Sequence, residues 1–157
     1  MPGSPYTIHL DIGARYRGTA YSARLRSAAR AVLTHCRAPA PGEVSIRIAG
    51  DALLRRLNRE YMGYDQPTDV LSFPSADVDP DSRARYFGDI AISLPRARAQ
   101  ADEAGHPLRA ELQLLVVHGI LHLLGYDHTT PTQKRRMWKV QEAILRQVGA
   151  GIAGPAL

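Results

Sequence analysis

Three of the chain's six histidines fall within eleven residues, in the run His118-Gly-Ile-Leu-His122-Leu-Leu-Gly125-Tyr-Asp-His128. Residues four apart lie one turn apart on a helix, so His118 and His122 present their imidazoles on one face, at a spacing that one metal ion can bridge. Gly125 can adopt a positive φ, which ends the helix and lets the chain bring His128 back to the same point. Three nitrogen ligands leave a fourth tetrahedral position open, the catalytic pattern for zinc. The run therefore predicts one zinc ion per chain, held by these three histidines.

The histidine run has two other interpretations, a hydrogen-bonded core and a peptidase site. Burying three imidazoles among leucines and valines would be costly without partners, which favours a metal site over a hydrogen-bonded core. The spacing is that of the metzincin proteases, but those enzymes carry Glu directly after the first His as general base, and Gly119 stands there instead. The nearest carboxylates, Asp127 and Glu111, lack the required offset. A peptidase is therefore disfavoured, and because a bound metal can also polarise a phosphoryl oxygen, cleavage of a phosphodiester remains open.

The surrounding sequence predicts the elements that must position these residues. Alternating or short apolar runs predict strands at 6–12, 43–49, 70–73 and 88–93. Amphipathic patterns predict helices at 22–36, 51–61, 95–104, 108–124 and 131–148. The last helix opens on a capping box, Thr130-Pro-Thr-Gln133, with proline at the first helical position. We therefore predict an α+β fold in which a small mixed sheet of about four strands packs with about five helices, as one domain over residues 1–157 with flexible ends at 1–5 and 150–157.

Composition excludes several classes of protein. The chain has 157 residues, of which 45% are hydrophobic and 22% charged, values typical of a globular domain. Its longest apolar run is too short for a membrane span, and its N-terminal residues lack the pattern of a secretory signal. The single cysteine, Cys36, cannot form an intrachain disulfide. Together these features predict a cytoplasmic protein without a membrane partner.

The charge pattern favours a nucleic-acid partner. A net charge of +5 is divided between two basic flanks, residues 1–64 and 104–157, and an acidic middle segment. All but two of the 20 basic residues are arginines, and the planar guanidinium group pairs well with phosphate. RNA or DNA is thus a plausible ligand on electrostatic grounds.

Several blocks of the sequence also resemble the signature blocks of the YbeY family of bacterial endoribonucleases. They are the histidine run, Pro67-Thr-Asp-Val-Leu-Ser-Phe-Pro74, Gly88-Asp-Ile90, and Leu57-Asn58 with Tyr61, in family order over about residues 44–145. The resemblance implies a zincin-like fold, one zinc on the three histidines, and cleavage of single-stranded RNA. It further implies maturation of the 3′ end of small-subunit ribosomal RNA and ribosome quality control, with RNA and the ribosome as partners. A zinc peptidase or amidase, and a non-catalytic ribosome assembly factor with structural zinc, are the alternatives.

One position departs from the family pattern. The family typically has an arginine directly after the Tyr of the Asn-x-x-Tyr block, whereas this chain has Met62. Arg59, three residues earlier on a neighbouring helical position, or Arg55 or Arg56 could supply the missing charge, although for each of them a solvated surface position is slightly favoured. Arg59 is therefore one predicted catalytic residue. Asp127, which could orient His128 or act as a base, is the other.

Four further residues have a structural and a functional interpretation. Asp69 and Asp89 are either turn residues or groups that orient a metal ligand through a hydrogen bond. Tyr126 and Phe73 are either packed side chains or stacking partners for a base.

On the last helix, we predict that Met137 and Trp138 lie in the core.

Overall fold

The computed structural model describes residues 3–19 and 21–152 of the chain. In this part the chain forms four strands and five α-helices. In chain order they are β1 (Tyr6–Ile12), α1 (Ser22–His35), β2 (Gly42–Ala49), α2 (Asp51–Leu57), β3 (Val70–Pro74), β4 (Arg85–Ser93), α3 (Leu94–Ala104), α4 (Leu108–Leu123) and α5 (Pro131–Gln147). A 3-10 helix spans Ala14–Thr19, and a π-helical turn, Asn58–Met62, continues directly from α2. The predicted α+β class is confirmed.

The four strands form one mixed sheet in the order β1-β2-β4-β3. The first three strands in this order run parallel, and β3 pairs antiparallel with β4 at the edge. A parallel pair needs a crossover connection, which α1 supplies between β1 and β2. The edge strand β3 lies against α4, where the Ser72 hydroxyl donates a hydrogen bond to the Gly119 carbonyl oxygen at 3.1 Å. This contact fixes the histidine-bearing helix relative to the sheet.

The main core lies between one face of the sheet and the helices α1, α4 and α5. The inward strand residues are β-branched for the most part, including Ile8, Val44, Ile46 and Ile90, all of them buried. Helix α4 is buried over nearly its whole length, from Ala110 to Leu121. A helix that is apolar on all sides belongs at the centre of a domain, and α4 contacts α1, α3, α5 and the sheet. Its side chains are therefore held on a rigid element.

The opposite face of the sheet is only partly covered. Helix α2 packs there over β3 and β4, where Leu54, Leu71 and Ala91 form a second, smaller cluster. Beyond this cluster, the face toward β1 carries polar residues such as His9 and Arg47. One layer of helices therefore encloses the main core, and the other side of the sheet is largely open.

Two of the sequence predictions need correction. The helix predicted at 51–61 ends as α-helix at Leu57 and continues as a π-helical turn, which periodicity cannot distinguish from an α-helix. Trp138 is 37% exposed, so its assignment to the core is wrong, whereas Met137 is fully buried as predicted. The inward stripe of α5 runs through Met137, Gln141, Ile144 and Leu145, and Trp138 lies outside it.

The chain ends were predicted to be flexible. Residues 1, 2 and 153–157 lie outside the described part. Within it, Ala150 is 1% exposed and its amide donates to the Leu145 carbonyl oxygen at 3.0 Å. No helix in the described ranges is long and apolar enough to cross a membrane.

Candidate metal centre

Helix α4 places the first two histidines side by side at its C-terminal end. The ring centroids of His118 and His122 lie 4.7 Å apart, and their Nε2 atoms lie 3.1 Å apart. The helix then ends as the sequence predicts, because Gly125 adopts φ 97°. The amides of Gly125 and Tyr126 donate to the carbonyl oxygens of His122 and Leu121, which is the Schellman arrangement. The chain is thereby turned back toward the two imidazoles.

The third histidine is positioned by the loop between α4 and α5. The His128 ring lies 5.7 Å from that of His118 and 5.1 Å from that of His122. Asp127 Oδ1 accepts a hydrogen bond from the His128 amide at 2.7 Å. The predicted capping box then anchors the next turn, because Thr130 Oγ1 accepts from the Gln133 amide and Gln133 Oε1 accepts from the Thr130 amide. The C-terminal cap of α4 and the capping box of α5 thus fix the two ends of the loop that carries His128.

The three side chains fit a single metal ion. Each offers one ring nitrogen, and these nitrogens all lie within 4.8 Å of one another. A tetrahedral zinc with bonds of about 2.0–2.1 Å holds its nitrogen ligands roughly 3.3 Å apart, close to the separation of the first pair. His118 and His122 are half-buried and His128 is exposed, so one side of the centre faces solvent. Three imidazoles with one open side are a donor set typical of zinc and related divalent ions.

Electrostatics keeps two of the ligands neutral. Burial, followed by the neighbouring His122, lowers the pKa of His118 to about 4. Burial, followed by the neighbouring His128, also lowers the pKa of His122. A metal ligand must offer a lone pair rather than a proton, and neutral imidazoles do so at physiological pH. The site is therefore prepared for a cation before one binds.

A residue that the sequence analysis missed orients His118. Gln141, fully buried on α5, places its Oε1 atom 3.0 Å from Nδ1 of His118. Because a carbonyl oxygen only accepts, this contact puts the His118 proton on Nδ1 and leaves the Nε2 lone pair for the metal. Gln141 Nε2 has no hydrogen-bond partner within the described residues. The available signal was a single amide in the otherwise apolar inward stripe of α5.

Asp127 lies directly beside the ligands. It is exposed, and the amide of His128, which donates to its carboxylate, lowers its pKa. The Thr129 hydroxyl, which donates to the other carboxylate oxygen, acts in the same direction. The side chain is thus an ionised carboxylate that holds the third ligand's backbone in place.

Arg59 is placed differently. It belongs to the π-helical turn, its side chain is 55% exposed, and its Nη1 atom lies 3.9 Å from Oδ1 of Asp65. Arg55 binds the same carboxylate more closely, at 2.9 Å. Among the described residues, Arg59 forms no hydrogen bond or ion pair with the three histidines. Met62, at the position where the family typically has arginine, is 42% exposed.

The two other aspartates singled out in the sequence have partners away from the ligands. Asp69 accepts hydrogen bonds from the Val70 amide at 2.8 Å and from Gln100 at 3.3 Å. Asp89 accepts from the Tyr86 hydroxyl at 2.6 Å. Within the described residues neither forms a hydrogen bond with the three histidines, and the side chain that does so is a glutamine, Gln141.

The two aromatic candidates are engaged by neighbouring side chains. Phe73 meets the Tyr61 ring edge-on, with centroids 5.3 Å apart. The Arg136 guanidinium carbon lies 5.4 Å from the centre of the Tyr126 ring.

The position of the missing peptidase base faces the sheet. A Cβ atom on Gly119 would lie 3.1 Å from Cγ2 of Ile90 and 3.4 Å from the Ser72 hydroxyl. A glutamate side chain has no room there. The structure therefore argues against the metzincin type of proton transfer, because the glycine is needed for close packing of α4 on the sheet.

Comparison with known proteins identifies the family. A family model described as "Endoribonuclease YbeY" matches residues 13–149. The chain belongs to the YbeY family. A relative named Endoribonuclease YbeY from Roseiflexus sp. (strain RS-1) is 45% identical over 155 residues, covering 95% of this chain and 97% of the relative. Another of that name, from Chloroflexus aggregans, is 48% identical and covers 82% of this chain and 88% of its own length. The resemblance noted in the sequence is confirmed.

A solved structure supports the fold. The solution structure of TM1509 from Thermotoga maritima matches with a TM-score of 0.62 at 25% sequence identity. The match covers 92% of this chain and 91% of that protein. The α+β architecture described above is thus shared with an experimentally determined structure.

Proposed function

We propose that this protein is a zinc-dependent endoribonuclease that cleaves single-stranded RNA at the three-histidine centre. The observation that carries the proposal is the convergence of His118, His122 and His128 within 4.8 Å, in a chain of the YbeY family. The relatives' shared name, Endoribonuclease YbeY, supports RNA as the substrate. No feature of the site favours a peptidase or a purely structural zinc.

We propose further that the RNA is ribosomal. The resemblance of the sequence blocks to those of the family supports a role in maturing the 3′ end of small-subunit ribosomal RNA and in ribosome quality control. Such a substrate would place the protein in the cytoplasm. The basic flanks of the sequence suit a phosphate-rich partner.

The residues around the centre have separable roles in this proposal. Zinc, when bound, supplies a Lewis acid at its open coordination position. Gln141 holds the His118 ring so that Nε2 faces the ion, at a contact of 3.0 Å between Oε1 and Nδ1. The ionised Asp127 carboxylate accepts the proton of the attacking hydroxyl group, which belongs to water or to the RNA ribose. As the new P–O bond forms, the P–O bond to the leaving nucleotide breaks, and the leaving oxygen takes its proton from solvent. Arg59 contacts a phosphate of the bound strand, which requires it to leave its 3.9 Å pairing with Asp65.

The proposal is tested by comparing two histidine variants. His122→Ala removes a ligand, and His35→Ala removes an exposed histidine at the end of α1 as the matched control. We expect the wild type and His35→Ala to cleave single-stranded RNA in a chelator-sensitive manner, and His122→Ala to lose both zinc and cleavage. Chelator-sensitive cleavage of a peptide library without cleavage of RNA would overturn the proposal.

An RNA-binding titration examines Arg59, and the end groups of the products examine the chemistry of the cleavage step. Arg59→Ala is expected to weaken RNA binding and to reduce its salt dependence, whereas Arg56→Ala, an exposed neighbour on α2, serves as the control. An unchanged salt dependence would remove Arg59 from the proposal. A 2′,3′-cyclic phosphate on the products would exclude direct hydrolysis by water as the cleavage step.

A further inference from the structure

A cavity adjoins the metal centre. It has a volume of about 600 Å³ and lies between the C-terminal end of α3, helix α4 and the start of β3. His118 is part of its wall, so the cavity and the metal centre share a side chain. Leu114, Leu115 and Ile152 provide apolar walls. The volume lies in the range of small-molecule sites and is ample for a planar heterocycle.

A buried carboxylate faces this cavity. The side chain of Glu111 is only 6% exposed, and its Oε2 atom lies 2.9 Å from Nε2 of His106. Within the described residues, the other oxygen, Oε1, has no hydrogen-bond partner. Burial raises the pKa of Glu111, which reflects the cost of holding a charge there. This oxygen is not fully buried, and Glu111 lines the cavity, so a donor that enters the cavity can hydrogen-bond to it.

The polar part of the cavity wall carries further acidic side chains. Asp69 and Glu103 add two carboxylates, and among the described residues no arginine or lysine lines the cavity. Such a lining repels phosphate and attracts neutral groups that carry N–H donors. The cavity therefore suits a part of the RNA other than its backbone.

We propose that this cavity binds the base of a nucleotide next to the scissile phosphate, and that it accepts bases with an exocyclic amino group in preference to uracil. Adenine, cytosine and guanine each carry such a donor, which a carboxylate oxygen can accept. Uracil has no exocyclic amino group, and its one N–H donor, N3–H, lies between two carbonyl oxygens that face the carboxylates of Glu111 and Asp69 unfavourably. The apolar walls contact the ring faces. This inference rests on the proposed endoribonuclease function, because it assumes that RNA reaches His118.

The test measures binding separately from cleavage. Four 2′-O-methyl trinucleotides, identical except for A, C, G or U at the centre, are titrated into the zinc-loaded protein. We expect the uridine trinucleotide to bind about tenfold more weakly than the other three, from the discrimination that one good base contact provides. In parallel, cleavage sites in a randomised single-stranded RNA pool should be depleted of uridine on one side of the cut.

Two variants examine the cavity. Glu111→Gln keeps the volume of the cavity. Because its carbonyl oxygen accepts the hydrogen bond from His106, its NH2 group faces the ligand as a donor. The difference in affinity between the uridine trinucleotide and the other three should therefore fall to about twofold or less. Ala104→Leu fills the exposed rim without disturbing the core, and it should weaken binding of the three amino-bearing trinucleotides toward the uridine value. Glu142→Gln, on α5 and paired with Arg146, is the matched control and should leave the preference unchanged.

The outcomes separate the two proposals. The base pocket is overturned, even if RNA is cleaved, if the wild type binds all four trinucleotides equally. It is also overturned if the weaker affinity for the uridine trinucleotide persists in both Glu111→Gln and Ala104→Leu. Base-dependent binding that is lost in both variants, without any RNA cleavage, would support the pocket while the endoribonuclease function fails.

Discussion

Gln141 offers a sharp test of how the metal centre is held. Replacing it with leucine removes the acceptor that lies 3.0 Å from Nδ1 of His118, in a fully buried position. When Nε2 binds the metal, the imidazole proton is confined to Nδ1, and there the orphaned N–H costs about 1–3 kcal/mol, which corresponds to roughly a 5- to 150-fold change in the zinc-binding constant. Loss of such a partner behind a metal ligand typically weakens metal binding by about 10–100-fold. We expect Gln141→Leu to weaken zinc binding within that range.

The effect on folding should be much smaller than the effect on zinc. Gln141 Nε2 has no partner within the described residues, so leucine also removes an unsatisfied buried donor. That gain offsets the lost hydrogen bond, and we expect the free energy of unfolding of the metal-free protein to change by less than about 1 kcal/mol. A large loss of stability in the metal-free variant would mean that Gln141 is mainly a structural residue.

The measurement is a competitive zinc titration against a chromophoric chelator. Gln113→Leu is the matched control, because Gln113 is also a buried glutamine, but it accepts a hydrogen bond from Arg109 at 3.0 Å on α4. Zinc affinity should be unchanged in this control. The reasoning is refuted if Gln141→Leu binds zinc as tightly as the wild type, or if both glutamine variants weaken binding equally.

Two further predictions concern stability. In Gly119→Ala the new methyl group lies 3.1 Å from Ile90. The cost of overpacking, about 1–3 kcal/mol, should outweigh the gain in helix propensity of about 1 kcal/mol, so we expect a loss of stability. A midpoint of urea unfolding higher than that of the wild type would contradict this. The second prediction uses the His118 pKa of about 4: the unfolded chain takes up a proton below its ordinary value of 6.5 while the folded chain does not. The metal-free protein should therefore lose up to about 3 kcal/mol as the pH falls from 6.5 to 4. In urea titrations, the free energy of unfolding of metal-free His118→Asn should fall clearly less over this pH range than that of the metal-free wild type. An identical pH dependence in the two proteins would disprove the prediction.

The three candidate ligands could be predicted because their placement follows from local rules. A spacing of four on a helix, a glycine with positive φ and a capping box are all contained in residues 118–133, and each is present as expected. Local geometry of this kind depends little on the rest of the fold. The same holds for the strands, whose predicted positions agree with the structure to within three residues at each end.

The orienting glutamine and the cavity beside the metal centre could not be predicted in this way. Gln141 lies 23 residues from His118 in sequence, and their contact depends on how α5 crosses α4. The cavity likewise depends on the end of α3, the middle of α4 and the start of β3 meeting at one place. Periodicity indicates which face of a helix is buried but not which residue it meets. Trp138 shows the same limit, because its neighbour Met137 takes the inward position.

Gly119 connects the absence of a peptidase base to the architecture of the centre. In the sequence, the glycine only indicated that a general base was missing after the first histidine. In the structure its Cα faces Ile90, and the missing side chain lets β3 and β4 pack closely against α4. The sheet therefore occupies the face of α4 that would carry such a base. In the proposed function, proton transfer therefore takes place on the loop side of the centre, where Asp127 is an exposed carboxylate beside His128. The packing that fixes the metal ligands thus also determines from which side chemistry can reach them.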